Sequence, residues 1–139
     1  MSNLSSIIEI QGTLKISRTS ITNLDGLYNT NEDSYLESPC FDFSTAIGDP
    51  IVTFSMIYNI ENTYDRVTFE SSIDNGLTWQ VVLPSVNPTN WFNVGQHWEG
   101  VSGGWIPVEN ILTGLAGQNS VKLRFKLNTD GSTNREGVG

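Results

Sequence analysis

The sequence has little cysteine, few basic residues and no long apolar run. Its one cysteine, Cys40, has no partner for an internal disulfide, so the 139 residues depend on a hydrophobic core, where we expect this small side chain to be buried. The chain has 7 basic and 15 acidic residues, a net charge of −8, which speaks against non-specific binding to nucleic acid or to an anionic membrane. The apolar runs are too short to insert into a bilayer.

Helix-forming residues are also scarce, and only 16% of the residues are charged. Gly, Ser, Thr and Asn are plentiful, which is typical of an all-β secreted or cell-surface protein. The length favours a single domain spanning residues 1–139. The chain starts without a signal peptide, so we expect it to be a fragment of a larger secreted protein, as Met1 followed by Ser-Asn-Leu suggests.

Short runs of strand-forming residues recur between turns, and none has a convincing helical period. Such a pattern predicts an antiparallel β-sandwich made of two packed sheets. Alternation is cleanest near the end of the chain, where apolar and basic residues take turns in the sequence VKLRFKL. The predicted strands include a first strand with a bulge at Gly12, an edge strand, a central strand and a late alternating strand: Ile7–Ile16, Ser34–Pro39, Ile51–Tyr58 and Val121–Leu127.

The strongest local signal is the stretch Val67–Val82. Two strand-like runs flank Asp74-Asn75-Gly76, and such a turn favours a β-hairpin because Asn and Gly tolerate positive φ. The spacing S-x-D-x-G-x-T-W, ending at Trp79, resembles the Asp box of sialidases, which holds a turn and performs no chemistry. We expect the Asp74 carboxylate to accept backbone N–H groups and Trp79 to fold under the hairpin as a plug.

The order of several motifs resembles the MAM-like jelly-roll domains of large secreted bacterial proteins, especially in the Bacteroidetes. The resemblance spans roughly residues 22–139 and rests on Thr22–Tyr28, Tyr35–Phe43, Tyr64–Trp79, Trp91–Asn93, Trp98, Gly103–Trp105, Leu115–Gly117 and Leu123–Phe125. It implies a concanavalin-like jelly roll that accompanies an enzyme or adhesin, sometimes with calcium. Such domains continue past a Glu-Gly pair into a further strand, so the resemblance also implies that the last strand is missing. We expect that either another chain covers the uncovered edge, as in an oligomer, or the termini rearrange to fill it.

A loop-rich stretch between residues 91 and 105 is the first candidate site. Exposed aromatic rings stack on the apolar faces of sugars, and polar neighbours supply hydrogen bonds. We therefore predict a ligand site formed by Trp91, Trp98, His97, Asn93 and Glu99. The alternative is that the rings pack in the core or close the ends of the sandwich. Of the four tryptophans, we expect Trp79 and Trp105 to be the plugs and Trp91 and Trp98 to be the exposed pair. His97 has no nearby His or Cys, which gives no support for a zinc site.

Carboxylates give two further candidates. The loop from Asp130 to Glu136 lies near the metal position that the resemblance implies, and its oxygens suit calcium, so Asp130 and Glu136 are the candidate ligands; a solvated turn is the alternative. Glycoside hydrolysis needs two opposed carboxylates, and the sequence offers several without selecting a pair: Glu61, Asp65, Glu70, Glu99 and Glu109.

Three functions remain open, in this order. The first is a non-catalytic module that binds a glycan or adheres to a surface. The second is a structural or assembly domain without a ligand, which contacts neighbouring domains through uncovered sheet edges. The third is a glycoside hydrolase, which lacks a selecting motif.

Overall fold

The computed structural model shows an all-β protein built from antiparallel sheets. It describes residues 6–10 and 14–18 by their backbone pairing, and residues 27 and 29–139 with their side chains. Within this part of the chain no helix is assigned. The strands, in chain order, are β1 Ser6–Ile10, β2 Leu14–Arg18, β3 Asp33–Glu37, β4 Ile51–Met56, β5 Tyr58–Ile60, β6 Arg66–Ser72, β7 Gln80–Val81, β8 Gly100–Val101, β9 Ile106–Ile111, β10 Lys122–Asn128 and β11 Gly137–Val138.

Two four-stranded sheets form the body of the sandwich, with strand orders β2-β1-β4-β9 and β3-β10-β6-β7. Aromatic side chains join them. The Phe54 ring of β4 lies 5.9 Å from that of Phe69 on β6 and 4.9 Å from that of Phe125 on β10, measured between centroids. Edge-to-face and offset contacts of this kind add to the burial of apolar area, so these rings hold the two sheets together.

Alternation on β10 decides which face of its sheet is inside. Leu123, Phe125 and Leu127 are buried in the core, whereas Lys122, Arg124 and Lys126 are only partly buried and lie on the outer face. A strand presents successive side chains to opposite faces, so a register shift of one residue would bury the basic side chains. The predicted alternation is confirmed, as are β4 in a central position and β3 at a sheet edge.

A small third sheet has the order β11-β5-β8. The residues of β11 pair with β5, and the amide of Gly139 donates to the carbonyl of Ile57 at 2.8 Å. The C-terminal segment is therefore part of a sheet and covers one edge of β5.

Two predictions about the chain are wrong. The predicted first strand Ile7–Ile16 is two strands, β1 and β2, which pair antiparallel with Ile8 opposite Ile16. Cys40 is exposed, with its Sγ 3.4 Å from the Ser120 Oγ. Cys40 directly precedes Phe41, which is buried. Because successive side chains of an extended chain point to opposite sides, the Cys40 side chain points outward.

Other predictions lie outside the described residues, namely the bulge at Gly12 and the motif Thr22–Tyr28, of which the structure describes only Leu27. A search of the described residues for a helix long and apolar enough to cross a membrane found none.

Candidate functional site

The predicted aromatic site is part of the core. Trp91 is 4% exposed and Trp98 0% exposed, so the prediction that these two rings form an exposed pair is wrong. Each indole is also anchored by a hydrogen bond, since Trp91 Nε1 donates to the Val82 carbonyl and Trp98 Nε1 to the Asn90 carbonyl, both at 2.9 Å. Rings held in this way have no free face on which a sugar could stack.

The polar members of that predicted site hold their own loop together. Asn93 Nδ2 donates to the Glu99 carbonyl at 2.8 Å, and the Glu99 amide donates to Asn93 Oδ1 at 2.9 Å. His97 Nε2 lies 2.9 Å from Glu99 Oε2, and this hydrogen bond lowers the pKa of Glu99. The hydrogen bonds of these three side chains join residues of the same loop, so their role in this structure is to stabilise the loop.

The two tryptophans predicted to be plugs, Trp105 and Trp79, lie in different environments. Trp105 is 55% exposed, so the prediction that it closes an end of the sandwich is wrong. Trp79 is partly buried, and its Nε1 donates to the Gly76 carbonyl at 3.1 Å, as a hairpin plug should. Its ring nevertheless lies on the outer face of the sheet, where Arg124 covers it at 4.1 Å from the centroid.

Three carboxylates meet at the end of the sandwich near the predicted metal loop. Oxygens of Glu61, Asp65 and Asp130 lie within 4.8 Å of one another, and Asp65 is 1% exposed. Two calcium ligands on opposite sides of the ion are about 4.6–5.2 Å apart, so the spacing and the all-oxygen donor set fit this cation. Glu136, the other predicted ligand, is not in this cluster; it is exposed and accepts a hydrogen bond from Asn59 Nδ2 at 3.2 Å.

The stretch from Ser72 to Trp79 forms the expected hairpin between β6 and β7. Asp74 Oδ1 accepts the Ser72 hydroxyl at 2.7 Å and the Thr78 amide at 2.8 Å, while Asp74 Oδ2 accepts the Thr78 hydroxyl at 2.5 Å. These bonds favour the ionised carboxylate and lower the pKa of Asp74 to about 2, the Thr78 hydroxyl having the largest effect. Asn75 and Gly76 have φ values of 60° and 89°, which complete the tight reversal.

A groove of about 530 Å³ lies beside this hairpin and was not predicted from the sequence. One wall is β7 with residues 82–84, the other is the turn at residues 112–115, and Ser71, Ile73 and Thr78 close one end. Ile73 and Leu83, which we call the aliphatic rim, are 53% and 55% exposed. The volume is in the range of known ligand pockets.

Polar groups are available inside this groove. Ser71 and Gln80 face each other across the hairpin, on the core-facing side, because Ser71 also pairs with the buried Leu123. Within the described part of the chain, the side chains of Ser71, Gln80 and Thr113 make no hydrogen bond to another residue. The groove thus combines aliphatic walls with two hydroxyl groups and one amide that are free to bind a ligand.

No lining residue of the groove is charged, although the chain carries 7 basic and 15 acidic residues. A groove without a carboxylate or an imidazole has neither a general acid nor a general base.

A comparison with protein-family models found no match, and a comparison with curated proteins found no significantly similar sequence.

The aliphatic rim gave no sequence signal, because single exposed aliphatic residues are ordinary on protein surfaces. The two walls of the groove are also separated by about thirty residues of chain, so only the tertiary fold brings them together.

Proposed function

We propose that this chain is a non-catalytic, adhesive binding module of a secreted or cell-surface protein, and that its ligand occupies the groove beside the Asp-box hairpin. The groove itself is the observation that carries the proposal. It pairs aliphatic walls with the unpartnered polar groups of Ser71, Gln80 and Thr113, a combination that orients a partly apolar ligand. Because no lining residue is charged, an uncharged ligand fits better than a charged one, which would lose its hydration without gaining an ion pair.

The experiment is an NMR titration of the intact chain with neutral oligosaccharides and, separately, with uncharged peptides. A ligand in the groove would shift the side-chain amide signals of Gln80 and the backbone signal of Thr113. Gln80→Ala should weaken that ligand, whereas Gln96→Ala, which removes an exposed amide outside the groove, should leave its affinity unchanged. If no probe shifts these signals, or if both variants behave alike, the proposal fails.

The MAM-like jelly-roll resemblance supports the same class of function, since such domains accompany enzymes and adhesins. We propose a jelly-roll connection of the strands on this basis. The assembly alternative has its own support in the exposed aliphatic rim, because exposed apolar surface often marks a contact with another protein.

We also propose that Glu61, Asp65 and Asp130 hold the calcium ion that the resemblance implies. The ion would join the turn between β5 and β6 to the loop after β10, where the Asp130 amide already donates to Asp65 Oδ1 at 2.8 Å. Calcium chloride should then raise the melting temperature of the native chain, because a ligand bound only to the folded state stabilises it. Asp130→Asn should reduce this shift and Asp33→Asn, on the exposed edge of β3, should not; an unchanged melting temperature in millimolar calcium would exclude the site.

A further inference from the structure

We propose that the groove ligand is an extended, uncharged segment of another polypeptide, which adds as a strand to the open edge of β7. This inference rests on the proposed function and names the ligand class for the same groove. The strand order β3-β10-β6-β7 places β7 at the end of its sheet, so its only strand partner among the described residues is β6.

The register shows which backbone groups face outward. The Val82 amide donates to the Phe69 carbonyl at 2.9 Å, and Gln80 lies opposite Ser71, so these two pairs are the hydrogen-bonded ones. Val81 lies between them, opposite Glu70, in a non-hydrogen-bonded pair. In an antiparallel ladder the residues of such a pair point their N–H and C=O away from the partner strand. The backbone of Val81 is therefore directed to the open edge.

Two other sheet edges, those of β3 and β9, have protective features that the described residues do not provide at β7. The edge strand β3 carries the exposed charges of Asp33 and Glu37, which oppose strand addition. On β9, Glu109 exchanges two backbone hydrogen bonds with Thr89, at 2.9 and 3.0 Å. Beyond β7, the side-chain amide of the buried Asn110 donates to the Leu83 carbonyl and accepts a hydrogen bond from the Ser85 backbone N–H. The open edge is therefore confined to β7.

The occupant follows from what the edge and the groove offer together. An unpaired backbone amide and carbonyl are satisfied by another backbone, and a strand supplies both groups at one residue. Every second side chain of the added segment would enter the groove. There an apolar side chain would contact the aliphatic rim, and a polar one would bind the Gln80 amide. The lining is uncharged within a chain of net charge −8, so a segment without charged side chains is the complementary one.

The test uses the intact chain against a display library of peptides that lack Asp, Glu, Lys and Arg, followed by affinity measurement of selected peptides. Val81→Pro removes the outward N–H, and proline is tolerated where a strand N–H faces solvent. Val81→Ala is the matched control, since it trims the side chain and keeps that N–H. We expect Val81→Pro to bind selected peptides at least about tenfold more weakly than the native chain does. We expect the affinity of Val81→Ala to stay within about threefold of the native value.

A second comparison does not depend on the folding of a variant. Each selected peptide is also made with N-methyl groups on alternate residues, in both phases, which removes one set of backbone donors at a time. One phase should lose binding and the other keep it, because only one edge of an added strand faces β7. Equal binding by both phases, or a Val81→Pro variant that folds and binds like the native chain, would overturn the inference.

Other outcomes separate this inference from the proposed function. If neutral oligosaccharides shift the Gln80 signals and no library peptide binds, the strand inference is wrong and the groove is still a binding site. If neither class binds, both proposals fail. A homodimer in sedimentation that Val81→Pro dissociates would make a second copy of the chain the occupant, and would overturn the assignment to another polypeptide.

Discussion

The guanidinium carbon of Arg124 lies 4.1 Å from the ring centroid of Trp79, on the side of the hairpin opposite the groove. The Arg124 Nε also donates to Glu70 Oε2 at 2.6 Å, and the Tyr35 ring lies 4.9 Å from the same guanidinium. Successive residues of a strand point to opposite faces, so the contact that fixes Trp79 also sets where Gln80 points. The outer face of the sheet thereby positions one wall of the groove.

Replacing Arg124 with Gln should destabilise the fold. The change removes the stacking on Trp79 and leaves Glu70, which is 13% exposed, without its partner, so we expect a loss of about 2 kcal/mol in the free energy of unfolding. Lys126→Gln removes the same charge from the same face, but its 3.5 Å contact with Asp33 is exposed and should be worth less than about 0.5 kcal/mol. Urea unfolding measures both; equal losses would show that the stacked arrangement contributes nothing special.

The Asp74 carboxylate should make stability depend on pH in the acid range. The folded pKa of Asp74 is lowered to about 2, below the value near 4 of an unfolded chain. The ionised group therefore stabilises the fold fully above pH 4, and this contribution disappears as the pH falls from about 4 to about 2.

Urea midpoints of the native chain and of Asp74→Asn, measured between about pH 6 and about pH 2, test this expectation. The native chain should be the more stable at pH 6, and the two midpoints should converge as the carboxylate protonates. A constant difference across this range would show that the charge of Asp74 has no role.

The tryptophans should differ sharply in their access to solvent. Trp105 is 55% exposed, whereas Trp91 and Trp98 are buried. Acrylamide is a suitable quencher because it is neutral and the net charge of −8 does not repel it. Trp105→Phe should remove most of the readily quenched fluorescence, and Trp91→Phe should retain it. Strong quenching that persists in Trp105→Phe would contradict the burial of the aromatic core.

Asn110 should be among the costliest polar residues to remove. It is 1% exposed on β9, and its amide donates to the Leu83 carbonyl at 3.0 Å and accepts the Ser85 amide at 2.8 Å. Asn110→Ala leaves both backbone groups without a partner, so we expect a loss of about 2–3 kcal/mol in chemical denaturation. Asn119→Ala, at an exposed position, should change stability by less than about 0.5 kcal/mol.

Local signals in the sequence carried the fold class. The turn at Asp74 and the alternation along β10 are properties of neighbouring residues, so both could be predicted without knowing what they pack against. The sequence could not predict which aromatic rings are exposed. Trp91 and Trp105 have the same preference for burial, and only the position of β4 and β6 determined that the first packs on Phe54 and Phe69 while the second remains outside.

The candidate sites divide in the same way. Asp130 was predicted, but Glu61 and Asp65 come from a turn about seventy residues earlier, and only the pairing of β6 with β10 brings them to it. The sequence by itself determined an antiparallel β-protein with a stapled hairpin, because strand period and turn chemistry act over a few residues. The tertiary structure decided the groove, the open edge of β7 and the buried aromatic core, because each is made by chain segments that are distant in sequence and meet only when the sheets pack.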